Sequence, residues 1–483
     1  MSRPARGLMA PENRAVSLAV MASMALAFYN ATSVTAALPE IGADLGRVAL
    51  VPWVITVELL AAALAVLAIG PFIDGSGVRR AYRLAIVGFA AASALCAVAP
   101  TMEVLVVARL VQGLATGSLI GTAMTCIGLA YDPALRPRAY ALVASVWGVM
   151  GVSGPAVAAA LVSTLGWRSV FAVNLPVAAV AATTAWNRVP AEARARAVPL
   201  DRRGLALMGA ISAALLLATS SLQWSSVAMM ALAALLYGLY VRHSRRRPGP
   251  IVHISHITGR QWWPVHVVAI ASIAGGTGAS VFLPMYLRGG RGTSLSFAAF
   301  AVLWPTVGWA AASWVSSKLQ ERMRAQSVVV IGSFILTGGA AAVTVTVAST
   351  AAFPLMFAAF VVLGWGIGTI TTSSMSLLQA RADAAEMGRV TSAHQFIRSL
   401  GWAYGAALAG MVLFWVVQRR AGDVEAVRGL LDDPGSALDT VLSDTLSSAY
   451  AWSLGALGVI SALTVPAALA LFHSYNPDRI TRD

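Results

Sequence analysis

The chain has 483 residues, of which 58% are hydrophobic and only 11% charged, and its mean hydropathy is +0.74. No water-soluble domain could hide that much apolar surface, so the expected solvent is lipid. The net charge of +14 could suggest a nucleic-acid partner, but the basic residues fall in alternate connections between apolar runs, which excludes one.

Fourteen apolar runs are long enough to span a bilayer, near 15–37, 51–72, 80–99, 104–126, 139–162, 169–187, 204–221, 225–242, 264–287, 295–317, 326–348, 353–377, 393–417 and 447–472. They lack the two-residue alternation of a membrane barrel, so an all-α membrane protein is expected. With a cytoplasmic N-terminus, 25 of the 34 basic residues fall in the N-terminal tail or the even-numbered loops. Seven lie on the other side: Arg47, Arg168, Arg288, Arg291, Arg419, Arg420 and Arg428. That asymmetry places both termini of a multi-pass cell-membrane protein in the cytoplasm. Trp53, Trp167, Trp186, Trp224, Trp262, Trp263 and Trp452 lie near run ends, as an aromatic belt would. Cys96 and Cys126 fall inside runs and suggest neither a disulfide framework nor a metal site. His253 and His256, without further ligands, make a poor metal site.

The runs group as six, two and six. Residues 1–187 form a first bundle, 188–262 a basic linker with two extra helices, and 263–483 a second bundle. The Gly-rich "QGLATG" of run 4 has a counterpart, "GWGIG", in run 12. The longest outer loop, 418–446, carries Asp423, Glu425, Asp432, Asp433, Asp439 and Asp444 and reads as a solvated cap.

Run 1 contains "FYNATSVTAALPEIGADLG", with Ser23, Ala27, Asn30 and Ser33 on one small-residue stripe. Run 2 holds Glu58 alone among about twenty apolar residues; an acid at a bilayer centre costs roughly 2.5–3.5 kcal/mol, so it is neutral, paired or functional. Val54, Glu58, Ala61, Ala62 and Ala65 form one stripe, expected to pack, with Leu60, Leu64 and Leu67 opposite, expected to face lipid. The next connection reads "GPFIDGSGVRR": Gly70 permits close approach, Asp74 can accept hydrogen bonds near a helix end, Gly77 makes the turn, and Arg79 and Arg80 can bridge to neighbouring helices. In run 4, "RLVQGLATG" puts Arg109, Gln112, Gly113 and Thr116 on one face, pointing into protein. Run 5 gives "GVMGVSGP", with Gly148, Gly151, Gly154 and Pro155, which suits small-residue packing, a kink or a conformational role. "GWRSVFAVNLP" leads into run 6.

Together these stretches resemble the major facilitator superfamily, in particular its fourteen-span drug:proton antiporter family, over nearly the whole chain. "VFLPMYLRGGRGTSLSFAAFAVLWP" and "GRVTSAHQFIRSLGWAYGAALAG" are similar to the family's spans 9–10 and 13. The resemblance implies two six-helix bundles around a central cavity plus two peripheral helices. It also implies alternating access, exporting hydrophobic or amphiphilic small molecules in exchange for protons. No enzyme activity and no cofactor are expected, the proton gradient being the energy source, and a monomer is expected. In the family's terms "GPFIDGSGVRR" is a conformational latch, with Gly75 where a basic residue is usual; "RLVQG" carries the arginine linked to proton coupling; and "GVMGVSGP" is the antiporter motif. Asn30, Gln112, Trp147, Trp309, Gln395 and Arg398 are candidate cavity residues, and His394 an interfacial one.

One departure matters. Asn30 stands where family members usually carry an aspartate, and asparagine cannot titrate; Glu58 stands where a tyrosine-like residue is usual. Asn30, Glu58 and Arg109 lie at similar depths, about 8–13 Å from the outer helix ends at 1.5 Å per residue. An arginine near Glu58 favours its charged form and burial alone favours the neutral acid, so a group poised between the two can load and release protons. Glu58 is therefore the expected proton carrier. The alternatives are a structural acid bonded to Asn30 or Thr56, an uncoupled facilitator, or an exporter of lipid, glycolipid or an endogenous metabolite. No G-x-x-x-x-G-K-[ST] loop is present, so ATP is not the expected energy source.

Overall fold

The computed structural model describes residues 7–47, 50–189, 200–218, 224–247, 249–421 and 440–474, and among these it contains helices and no strand. The first helices are α1 (Pro11–Leu45), α2 (Val51–Ser76), α3 (Val78–Ala97), α4 (Met102–Ala130) and α5 (Arg136–Leu165). A proline in the first helical turn opens α1, α2 and α5, where its missing N–H costs nothing. Gly46, Gly77 and Gly166 follow their ends at φ +66°, +83° and +77°, a region glycine enters without strain.

Among the described residues, each of the fourteen apolar runs falls mainly on helix. Eleven helices among the described residues are long and apolar enough to cross a membrane, and the runs at 169–187, 204–221 and 225–242 are not among them. The first of these is broken into α6 (Arg168–Ala172) and α7 (Asn174–Ala185). Pro176 has no N–H to offer the Ala172 carbonyl, which explains the interruption. The other two form α8 (Arg202–Ala218) and α9 (Trp224–Arg246), the latter ending in an arginine-rich turn. Length and composition alone thus do not carry the fourteen-span count.

The remaining elements are α10 (Ile254–Thr258), α11 (Trp263–Val281), α12 (Leu283–Met285) with a π-turn at Tyr286–Gly290, α13 (Leu295–Ala301), α14 (Leu303–Leu319), α15 (Ala325–Ala348), α16 (Phe353–Arg381), α17 (Met387–Arg420), α18 (Thr440–Ala462) and α19 (Thr464–Ser474). The acids Asp423, Glu425, Asp432, Asp433 and Asp439 lie outside the described residues, as do Arg3, Arg6 and Arg428.

The chain divides into two compact units. The first comprises Met1–Gly209, Arg242–His256 and Met375–Phe396, and the second Ala210–Val241, Ile257–Ser374 and Ile397–Asp483. In the first, α2 packs on α4, α1 on α5 and α7, and α3 on α4 and α7. Its apolar cluster gathers Ile41, Val54, Met102, Leu105, Trp167 and Phe171 at the end away from the α1 N-terminus. In the second, α15 packs on α18, and α11 on α18 and α19.

Each unit contains a helix pair whose backbones touch. A Cβ on Gly117 of α4 would overlap the Ala62 carbonyl of α2, and a Cβ on Gly364 of α16 would overlap the Pro305 carbonyl of α14. These contacts are the physical content of the "QGLATG" and "GWGIG" echo, because only glycine admits such close approach.

Several lipid-facing expectations are corrected. Leu67 is buried, and Leu64 packs where a side chain on Gly209 of α8 would sit. Trp53, Trp186, Trp263 and Trp452 are exposed as a belt requires, but Trp167 and Trp262 are buried. Trp167 Nε1 instead donates to Asp44 Oδ2 at 2.9 Å, and Arg168 pairs with the same carboxylate at 2.7 Å. His394, expected at an interface, is fully buried.

Candidate functional site

Five helices of the first unit, α1, α2, α3, α4 and α7, contribute to a buried polar network. The small-residue stripe of α2 packs on α4 as expected, with Val54, Glu58, Ala61 and Ala65 buried. A Cβ on Gly113 of α4 would come 2.9 Å from both Ala61 Cβ and Glu58 Cα. The stripe on α1 is likewise enclosed, with Ser23, Ala27, Asn30 and Ser33 each at most 1% exposed. Burial of both stripes brings Asn30, Glu58 and Arg109 together.

Arg109, 1% exposed, is the hub. Its Nε donates to the Val54 carbonyl at 2.9 Å, and its Nη1 donates to Asn30 Oδ1 at 2.9 Å and Gln112 Oε1 at 2.6 Å. The Phe171 ring lies 5.9 Å from its guanidinium carbon. Glu58 Oε2 is 3.6 Å from Nη2, an ion pair without a hydrogen bond, while Glu58 Oε1 accepts from Asn30 Nδ2 at 3.2 Å. Gln112 passes the network on, donating to Ser93 Oγ at 2.8 Å and accepting from the Cys96 thiol at 3.4 Å. Ser93 also accepts from Asn174 Nδ2 at 3.5 Å.

At an effective dielectric of 20, charges 3.6 Å apart attract by about 4–5 kcal/mol. Desolvating each ion costs several kcal/mol, so the pair is close to balanced. Glu58 is 2% exposed. In this structure α1, α2 and α4 enclose it.

The second constellation surrounds the stretch "GPFIDGSGVRR", expected to act as a latch. Asp74, at the end of α2, accepts from the backbone N–H groups of Gly388 (2.6 Å) and Arg389 (3.0 Å). These are open amides of the first turn of α17, where the helix dipole favours a carboxylate. Gly70, one turn earlier, leaves room for the Gly388 carbonyl, which a Cβ would approach to 2.6 Å. Gly77 ends α2 at positive φ. Arg79 bridges as expected, its Nε donating to the Val189 carbonyl at 2.6 Å, whereas Arg80 is exposed. Arg83 makes the second bridge, to the Trp186 carbonyl at 2.9 Å and Asn187 Oδ1 at 2.5 Å.

Near the latch, Gln379 does what no sequence motif announced. Its Nε2 donates to the Met124 carbonyl (2.9 Å) and Thr391 Oγ1 (3.1 Å), its Oε1 accepts from the Tyr140 hydroxyl, and its carbonyl accepts from Arg136 Nη1 at 3.1 Å. A glutamine two residues past the end of a long apolar run is the trace it leaves in the sequence. His256 of α10 meets Glu386 at 3.2 Å, with the His253 ring 5.3 Å from its own.

The remaining candidates do not join one constellation. Gly154 of α5 packs against Thr32 of α1, Gly151 faces open space, and Gly148 and Pro155 lie within α5. Trp147 meets Phe28 edge-on at 5.3 Å. Gln395 is buried in the first unit. Trp309 of the second unit stacks on Trp402 at 6.3 Å, and Arg398 of that unit is half-buried.

A helical bundle with a buried acid–arginine pair and a helix-end latch suits a membrane carrier, and the comparison with known proteins decides the family. The model of the Major Facilitator Superfamily matches residues 20–406. The chain belongs to the Major Facilitator Superfamily. It is therefore a multi-pass membrane protein of a transporter family, not an enzyme.

Among curated superfamily members, it is 27% identical over 399 residues to the multidrug transporter protein MdtP of Bacillus subtilis (strain 168), covering 81% of this chain and 73% of that one. It is 28% identical over 432 residues to a probable multidrug-efflux transporter of Mycobacterium tuberculosis (strain ATCC 25618 / H37Rv), covering 86% and 90%. An uncharacterized superfamily transporter of that strain matches at 28% identity over 428 residues and 86% of this chain, which spans only 62% of its length. Among solved structures, the human organic anion transporter MFSD10 (TETRAN) superposes with a TM-score of 0.62 at 16% identity, over 93% of this chain and 100% of that one. The proton:xylose symporter XylE does so with 0.58 at 14%, over 93% and 94%. At these identities the likeness is one of fold.

Proposed function

We propose that this superfamily member is a proton-coupled exporter of hydrophobic or amphiphilic small molecules, of the fourteen-span drug:proton antiporter type, with Glu58 as the proton carrier. The observation that carries this reading is the division of labour at Arg109. Its three hydrogen bonds go to Val54, Asn30 and Gln112, all neutral, and Glu58 is held only by charge at 3.6 Å. Protonating Glu58 therefore removes the ion pair but leaves those three hydrogen bonds of Arg109 in place.

The export direction and the drug-like cargo are supported by the names of relatives, which include multidrug and multidrug-efflux transporters. In this scheme Asp74 holds the α17 amides in one conformation and lets them go in the other, while Glu58 takes up its proton from the outer side and yields it to the cytoplasm. Export would proceed without a bound cofactor.

Transport into inside-out vesicles, with and without an imposed pH gradient, tests the reading. Wild type is expected to accumulate amphiphilic dye only with the gradient, and Glu58→Gln to lose that response while remaining folded. Gradient-driven transport surviving in Glu58→Gln would refute the assignment, and gradient-independent transport by wild type would favour the uncoupled facilitator.

A further inference from the structure

The cytoplasm-directed ends of α8 and α9 are tied together by one residue. Asp201, 2% exposed, caps α8 by accepting from the Gly204 N–H at 3.0 Å, and accepts from the Ile251 N–H at 3.2 Å beyond α9. His243 Nε2 lies 2.8 Å and Arg247 Nε 3.6 Å from the same Oδ1. Burial works against its charge, but the two amides and His243 outweigh burial and hold the carboxyl below its usual range. Asp201 is thus an anion spent entirely on the clasp.

The clasp gathers cations. Arg202 and Arg203 open α8, Arg242, Arg245 and Arg246 close α9, and all five are exposed. Acids are sparse around them in sequence: Glu192 is the nearest besides Asp201, and Asp and Glu are absent from 202 to 320. The arginines of α9 suit the negative end of its helix dipole, but those of α8 sit at the positive end, where cations are disfavoured. Helix stability therefore does not account for the set, and five exposed like charges at the two clasped helix ends make a surface that attracts anions. Along the same helix, α9 presents Met230, Leu235 and Leu239 to its surroundings, 60%, 62% and 46% exposed. Guanidinium groups directly below an exposed apolar helix match a phospholipid with an anionic headgroup, acyl chains along the helix and phosphate on the arginines.

We infer that the clasped end of α8 and α9 is a binding surface for anionic phospholipid, engaged through Arg202, Arg203, Arg242, Arg245 and Arg246. This rests on reading α8 and α9 as membrane helices and is independent of the proton chemistry at Glu58.

The test is native mass spectrometry of the full-length protein released from nanodiscs of phosphatidylcholine and phosphatidylglycerol in equal parts. Wild type should carry phosphatidylglycerol enriched about tenfold over the neutral lipid, falling as salt rises. The variant R202Q/R203Q/R242Q/R245Q/R246Q should carry the two lipids near their bulk ratio. The partial variants R202Q/R203Q and R242Q/R245Q/R246Q, which keep the Asp201 clasp and are milder on folding, should each lose part of the enrichment. No enrichment in wild type, or full enrichment in both partial variants, would overturn the assignment. Gradient-driven transport, measured separately, decides the Glu58 reading whichever way the lipid result falls.

Discussion

Asn30 bridges Arg109 and Glu58, its amide oxygen accepting from the guanidinium at 2.9 Å and its amide nitrogen donating to the carboxylate at 3.2 Å. An aspartate at position 30 would keep the first contact and put a titratable group against the same cation. Glu58→Gln should abolish the response of transport to a pH gradient, and adding Asn30→Asp to that variant should restore part of it. A vesicle assay of gradient-driven dye uptake checks both, and an inactive double variant that still folds would mean position 30 cannot substitute.

Asp74 accepts from both the Gly388 and the Arg389 amide. Asp74→Ala leaves two helix-end N–H groups without that acceptor, a loss of about 1–3 kcal/mol from the latched state. The latched population is expected to fall by about tenfold or more relative to the unlatched one, since about 1.4 kcal/mol is a factor of ten in an equilibrium, and the Gly388 amide should exchange hydrogen faster.

The backbone contact at Gly117 predicts a steric penalty. Gly117→Ala pushes a methyl into the Ala62 carbonyl and should destabilise by about 1–3 kcal/mol. Gly338→Ala, on α15 with nothing within 4 Å, is the control and should stabilise by up to about 1 kcal/mol through helix propensity. Melting temperatures in detergent would separate the two.

His253 and His256 supply a pH dependence. Burial, with Arg389 nearby, holds both below the ordinary histidine value, and Glu386 opposes that shift without cancelling it. The unfolded chain, with histidines near 6.5, therefore takes up protons first as pH falls. Stability from this contact is full above about pH 6.5 and declines through the depressed folded values. The loss in melting temperature between about pH 7.5 and pH 5.5 should be smaller in His253→Gln/His256→Gln than in wild type.

Helix periodicity made the elements and the inward faces legible: among the described residues each apolar run lies mainly on helix, and the stripes of α1, α2 and α4 meet at Asn30, Glu58, Arg109 and Gln112. Periodicity names a face but not its partner. Ser93 and Cys96 join the network from α3, where a serine and a cysteine in an apolar run look like ordinary packing residues. Leu67 was read as facing lipid because leucines usually do, yet it is buried. Trp167 stands at a run end, as belt residues do, but the Asp44 carboxylate offers it a hydrogen bond that sequence spacing cannot foresee. The Asp201 clasp joins residues 42 and 50 positions apart, a separation that no local pattern encodes.

Cys96 and Cys126 are both sealed inside the first unit, and they are the chain's only two cysteines. Maleimide reagents should therefore find the native protein almost mute. Single cysteines placed at sites such as Arg80 or Arg420 would then report opening and closing by fluorescence or spin labels without first stripping the natural thiols.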